Sequence, residues 1–300
     1  MINKEIYSNQ DRLEYVLGTP IKYNGLDIHP IKVANYEQFV GSIDILSLHP
    51  DELARTPQEF EMDYLTFLYK SYDLVGEVLQ FDKYPNMAKV KKDIGRRLDE
   101  QVDGKPIPDI QKLKIVNEII YKDIINSKLS TLFTLVFPGH KITMETLGEG
   151  ENSHYELRID DSMFINAESF EDIRSYILAM NDIEYDLDEK DRDYRDELDR
   201  AKEYIMAKMP KRANLVEQIH CFHAWMGRDY DYILSLTIKQ FNENIHAYQK
   251  LVTSLRTTFP VLQPTDKIPD ILDARKKEGM YDCVEHQENL GALAEKLKVN

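Results

Sequence analysis

The chain has 300 residues, a formal net charge of −15 and a pI near 5.0. Hydrophobic residues make up 42% and charged residues 30%, which places it with foldable globular chains and outside the disordered class. So negative a chain lacks the positive field that sequence-independent nucleic-acid binding needs, because such binding is driven by displacement of phosphate counterions.

With only 12 Gly and 12 Pro, helix is favoured throughout. A short helical start is broken at Gly18-Thr19-Pro20. Ile21-Lys22-Tyr23 and Leu26-Asp27-Ile28 then alternate around Asn24-Gly25, which predicts a tight hairpin. Asn35 is placed to cap a helix from Tyr36, with Phe39, Val40, Ile43 and Leu46 at helical spacing. His49-Pro50-Asp51 and Thr56-Pro57-Gln58-Glu59 read as two helix openings, each with a proline in the first turn and acid at the positive end. The second leads into a wide apolar stripe, Phe60, Tyr64, Phe67, Leu68 and Leu74. Further helices are predicted over 87–101 and 109–129. In the latter, Ile110, Leu113, Val116, Ile119, Ile120 and Ile124 form a stripe expected to be core.

After Phe137-Pro138-Gly139 the period changes from 3.6 to 2. Residues 141–145 and 154–159 alternate about a loop at 148–152, and Met163-Phe164-Ile165 makes a third short strand. Helical spacing returns at Ser169 with Phe170, Ile173, Tyr176, Ile177 and Met180. Residues 182–199 are strongly acidic, and a further helix runs toward Met209-Pro210. Asn214, Asp229 and Thr237 are placed to cap three helices: one through Phe222 to Gly227, a short one, and one through Phe241 and Tyr248. The fold expected is mainly α with a small antiparallel β-hairpin or sheet (α+β). Its expected segments are a helical part with a short hairpin (1–137), a β-hairpin plus helix (138–181), an acidic hinge with a helical hairpin (182–259), and a peripheral tail (260–300).

No known catalytic signature stands in the chain. It has no Gly-rich phosphate loop, no G-x-S-x-G elbow and no H-E-x-x-H helix. Two cysteines, Cys221 and Cys283, make no disulfide framework and fit a reducing compartment. The N-terminus has no apolar signal core, and the apolar run at 132–138 is too short for a bilayer, so a soluble cytoplasmic protein is expected. Asp186, Asp188, Asp191 and Asp193 space carboxylates two apart. They lack the Gly and Glu of an EF-hand loop, and Lys190, Arg192 and Arg195 interleave, so a solvated acidic hinge is expected.

Glu217, His220 and His223 lie three residues apart and are weak metal candidates, needing a further ligand to hold zinc. The alternative for them is packing at a helix seam. Residues 214–248 also scan as a helix–turn–helix with Gly227 in the turn. Asp229, Asp231 and Glu243 stand where phosphate anchors belong, which favours a helical hairpin that faces protein. Trp225, Met226, Tyr230 and Tyr232 are its candidate partner-binding residues, since aromatic and Met side chains dominate such surfaces. Trp225 as core is the competing reading.

Three passages carry a family resemblance. Pro20-Ile21-Lys22, Pro30-Ile31-Lys32-Val33 and Tyr36-Glu37-Gln38-Phe39 resemble the N-terminal part of tail assembly chaperones of tailed phages and prophages of Gram-positive bacteria. Ile165-Asn166-Ala167-Glu168-Ser169-Phe170-Glu171-Asp172-Ile173-Arg174 is similar to their strand-to-helix passage. Leu215-Val216-Glu217-Gln218-Ile219 and Leu236-Thr237-Ile238-Lys239-Gln240-Phe241-Asn242 look like their C-terminal helical hairpin. The Trp225-Met226-Gly227 turn and the tail from Pro260 depart from that pattern. The resemblance implies a non-enzymatic assembly factor of the host cytoplasm, without cofactor, that binds the tape-measure and tail-tube proteins during tail morphogenesis. A structural tail or baseplate component, or a metal-binding helical enzyme, stand as alternatives.

Overall fold

The computed structural model describes residues 2–8, 13–101, 108–148, 153–160, 163–185, 197, 200–201, 204–205 and 214–258. Most of the acidic hinge expected at 182–199, most of the helix expected to follow it, and the peripheral tail at 260–300 lie outside these residues. The fold is mainly α with two small antiparallel sheets. The chain divides into two compact units, Met1–Glu243 and Asn244–Asn300.

After α1 (Lys4–Ser8) and α2 (Leu13–Leu17), the predicted hairpin forms: β1 (Ile21–Tyr23) pairs with β2 (Leu26–Ile28), Tyr23 opposite Leu26. Asn24 and Gly25 both take positive φ, 49° and 84°, as a two-residue hairpin turn of matching twist requires. α3 (Tyr36–Ile43) starts where expected, but Asn35 ends a 3₁₀ turn and its side chain makes no capping bond. Phe39, Ile43 and Leu46 are buried as predicted, whereas Val40 is exposed.

α4 (Pro50–Leu53) forms at the first opening, and the stripe read through Phe60 to Leu74 is broken into separate helices: α5 (Pro57–Phe60), α6 (Tyr64–Lys70) and α7 (Tyr72–Val78). Two caps set the starts of α5 and α6. Thr56 and Glu59 exchange side chain-to-backbone bonds at the start of α5. The Asp63 carboxylate accepts the Thr66 N–H at 3.0 Å and restarts the helix at Tyr64. Phe60, expected inside, is 58% exposed.

α8 (Met87–Gln101) is followed by α9 (Asp109–Val136), whose 28 residues form the longest helix described. Val116, Ile120, Ile125, Leu129, Phe133 and Val136 of α9 are buried. Its first turns run past the core, so Ile110, Leu113 and Ile119, expected inside, are exposed. The second sheet has the order β3 (Ile142–Leu147), β4 (His154–Ile159), β5 (Met163–Ile165), all antiparallel. Tyr155, Leu157 and Ile159 alternate inward along β4. Asn166 then caps α10 (Ala167–Met180), accepting the Ser169 N–H at 2.9 Å. Three helices close the described chain: α11 (Leu215–Met226), α12 (Tyr230–Ser235) and α13 (Ile238–Thr258). In the second unit, residues 244–258 continue α13.

Within the first unit, aromatic packing joins α6, α9 and α10. Phe133 of α9 stacks on Phe170 of α10 at 5.9 Å, and Phe170 stacks on Tyr64 of α6 at 6.0 Å. The interior also holds a charge. Arg174 of α10 is 1% exposed, and its guanidinium lies 3.6 Å from the Tyr64 ring centroid. It donates to the Leu46 carbonyl at 2.7 Å, the Leu48 carbonyl at 2.8 Å and the Glu171 carboxylate at 3.1 Å. Replacing Arg174 with Met leaves two carbonyls and a largely buried carboxylate without these donors. Denaturant titration should show a loss of about 3–5 kcal/mol; a loss below about 1 kcal/mol would contradict this role for Arg174.

Burial pushes the Tyr64 and Tyr69 phenols well above the ordinary tyrosine range. A raised folded-state pKa contributes stability that is present below the unfolded value, about 10, and is lost as pH rises beyond it. Absorbance titration at alkaline pH should show these two tyrosines ionising together with unfolding. Substituting Phe for both should remove that late step while the remaining tyrosines ionise as before.

Candidate functional site

The helical hairpin from Asn214 to Phe241 is built by caps that the sequence announces. The Asn214 side chain accepts the Glu217 N–H at 2.9 Å, and Glu217 Oε2 accepts the Asn214 N–H at 2.9 Å. This reciprocal box fixes the start of α11 and engages the Glu217 carboxylate. α11 ends at Gly227, whose φ of +62° supplies the left-handed cap. Asp229 then accepts the Tyr232 N–H at 2.9 Å and starts α12.

That turn lays Tyr230 against α11. Its hydroxyl lies 2.9 Å from His220 Nδ1, and its ring stacks on His223 with centroids 4.3 Å apart. His223 Nδ1 donates to the Arg228 carbonyl, since a carbonyl can only accept. Glu217, His220 and His223 thus each hold a local partner. The Glu-x-x-His spacing recurs in the sequence at Glu151 and His154 and at Glu243 and His246. Among the described residues, no three His, Cys, Asp or Glu side chains come together as a metal-binding group.

The four candidate partner-binding residues divide into two pairs. Trp225 and Met226 are half-buried, and Trp225 packs edge-on against Phe222 at 5.7 Å. Phe222 in turn meets Phe241 at 5.4 Å, and with buried Ile233 and Leu236 these rings form a small core of the hairpin. Tyr230 and Tyr232 are 41% and 40% exposed, and the Arg228 guanidinium lies 5.4 Å from the Tyr232 ring. Val216, the second residue of α11, is more exposed still. Tyr230 and Tyr232, two residues apart on α12, point to different sides of it: Tyr230 toward His220 and His223, Tyr232 toward Arg228.

The hairpin is held by backbone pairing as well as packing. Lys32 and Thr237 form an antiparallel β-bridge, with Val33 N–H bonded to Leu236 O and Ile238 N–H to Ile31 O, both at 2.9 Å. Thr237 and Gln240 form a further capping box, and Gln240 Nε2 reaches the Val16 carbonyl at 3.1 Å. In the candidate recognition helix the one cation up to Glu243, Lys239, is 2% exposed. Lys239 lies beside the Asp182 carboxylate and the Tyr15 ring, so it offers no phosphate anchor. Among the described residues no helix is long and apolar enough to cross a membrane. Comparison with protein families, with curated proteins and with solved structures gives no match.

Sequence reasoning found the caps and missed the dock. Its one signal was Gly18, where φ is +68° and an added Cβ would lie 2.7 Å from Thr237 Cγ2. Gly18→Ala combines left-handed strain with that clash and should cost about 2–3 kcal/mol. Gly139→Ala, also at positive φ but with open space around it, should cost only about 1–2 kcal/mol. Thermal unfolding checks the order of the two. Proteolysis between 214 and 237 should accelerate only in the Gly18 variant.

Proposed function

We propose that this chain is a non-enzymatic tail assembly chaperone of a tailed phage or prophage, acting in the host cytoplasm on the tape-measure and tail-tube proteins. The observation that carries the proposal is how the passages behind the resemblance meet in space. The 30–33 passage forms the β-bridge to the 236–242 passage. The buried Asn181 at the end of α10 accepts the Ile31 N–H at 3.1 Å and donates to Ile177 O. The 165–174 passage supplies the α10 cap and the buried Arg174. Three separated stretches of sequence thus make one body that presents a helical hairpin.

The hairpin's exposed apolar residues fit the task this reading assigns. Val216, Tyr230 and Tyr232 each leave apolar or aromatic surface uncovered that an amphipathic helix of a partner could cover. Aromatic side chains bury large areas at low entropic cost, which suits them as anchors. The net charge of −15 keeps chain and bound partner in solution while a coiled coil waits for its tube.

Coexpression with the tape-measure protein encoded in the same phage or prophage tests this directly. Soluble yield of that partner should rise, and a complex should survive gel filtration. Tyr230→Ser with Tyr232→Ser should weaken the complex by about tenfold or more while the chain stays folded. Unchanged partner solubility, or the chain's presence in finished particles at structural stoichiometry, would count against a chaperone.

A further inference from the structure

Tyr230 and Tyr232 stand on the same short helix with nearly equal exposure, 41% and 40%, yet their surroundings differ. Tyr230 is held twice. One face of its ring stacks on His223 at 4.3 Å with the planes 18° apart, and its hydroxyl meets His220 Nδ1 at 2.9 Å. The His220 ring also meets it edge-on at 5.7 Å. The stack fixes the tilt of the ring and the hydroxyl bond fixes where its far end lies, so both side-chain torsions are set. Tyr232 has neither constraint. Its hydroxyl makes no hydrogen bond among the described residues, and its ring lies 5.4 Å from the exposed Arg228 guanidinium.

The two histidines are themselves placed by the hairpin. They stand three residues apart on α11 and so share one side of that helix. His223 is half-buried, and its Nδ1 donates to the Arg228 carbonyl, which orients the ring that Tyr230 stacks on. The left-handed Gly227 and the Asp229 cap bring Tyr230 onto the same side. Glu217, the third member of the spacing, is engaged by the Asn214 box.

We infer that His220 and His223 are positioning residues that hold Tyr230 in one rotamer as the pre-organised anchor for the partner, with Tyr232 a secondary contact. The inference rests on the proposed function for the identity of the partner, and adds which residue of the hairpin leads and what prepares it. Ordering a free side chain at an interface costs affinity, and a side chain already ordered in the unbound protein avoids that cost. Tyr230 is ordered by contacts within the hairpin, and its outward face is left for the partner to cover. Tyr232 must be ordered when the partner arrives.

The test has a partner-free arm and a binding arm, both with the full 300-residue chain. With labelled tyrosines, NMR side-chain couplings should show a single χ1 rotamer for Tyr230 and rotamer averaging for Tyr232. His223→Ala should release Tyr230 into averaging. His223→Phe, which keeps a stacked ring without the Nδ1 donor, should restore the single rotamer. His220→Ala should loosen Tyr230 as well, and His220→Gln, which keeps a hydrogen-bonding group, should reverse part of that loss. In the binding arm, affinity for the coexpressed tape-measure protein should fall about fivefold in His223→Ala and recover in His223→Phe. Tyr230→Ser alone should weaken the complex more than Tyr232→Ser alone.

Tyr230 averaging as freely as Tyr232 in the parent chain would overturn the inference, and this measurement needs no variant to fold. So would a His223→Phe chain that behaves like His223→Ala. Equal losses from Tyr230→Ser and Tyr232→Ser, in a complex that does form, would overturn it and leave the chaperone reading standing. No complex with the parent chain would sink the chaperone reading and the anchor role together.

Discussion

Arg174 places a full charge where water cannot reach it, and the surrounding chain is arranged around its donors. An uncompensated guanidinium in that position would cost several kcal/mol, so its partners are fixed requirements of the fold. Two of them are the carbonyls of Leu46 and Leu48, which tie the segment between α3 and α4 to α10. The ring beneath it, Tyr64, bonds through its own hydroxyl to the Ile45 carbonyl at 2.6 Å. Lys128 of α9 reaches the same segment from another helix, bonding to Gly41 O at 3.0 Å and Asp44 at 2.6 Å. The end of α3, the 3₁₀ turn at 44–46 and the residues up to 48 are firmly placed, because two buried cations bind them.

The same logic of shared partners carries outward to the ends of α10. At its start, Asp172 accepts from Asn3 at 2.8 Å and from Tyr23 at 2.7 Å, which fastens α1 and the β1–β2 hairpin to one helix. Past its end, Tyr7 donates to Ile183 O and accepts from Tyr185 N–H. Asn181 then hands the order on to Ile31, and Ile31 to Ile238 through the β-bridge. The C-terminal hairpin is therefore connected to the buried arginine by a chain of directional bonds, and its small aromatic core adds local stiffness. A face that must hold a partner at one angle benefits from such a mounting.

Two surfaces of different chemistry follow. Val216, Tyr230 and Tyr232 leave apolar surface on two capped helices, whose starts are set by the Asn214 and Asp229 side chains. The α8–α9 groove sets Leu113 and Val116 among four cations and three aspartates. Each leaves apolar area uncovered in the first unit. The perturbed tyrosines are structural: Tyr64 lies beneath Arg174, and Tyr69 stacks on Tyr155 at 4.5 Å while its hydroxyl bonds to Asn126.

Local chemistry by itself determined the elements of this protein. Asn24-Gly25 dictated a hairpin, alternation at 154–159 dictated a strand, and Asn166, Asn214, Asp229 and Thr237 each started the helix they precede. These signals are short-range, so they survive whatever the rest of the chain does. Burial was legible only in part. Periodicity marked Ile110, Leu113 and Phe60 as core, yet a stripe states which side of a helix is apolar and not how far the core extends along it. Among the candidate site residues, sequence could group Trp225, Met226, Tyr230 and Tyr232 but could not sort them. Packing on Phe222 turned Trp225 inward, and the Gly227 turn set Tyr230 on His223. The burial of Arg174, the pairing of Lys32 with Thr237 and the uncovered groove of α8 and α9 were decided by tertiary structure alone. Each depends on residues far apart in sequence meeting in space, and no window of the chain contains both partners.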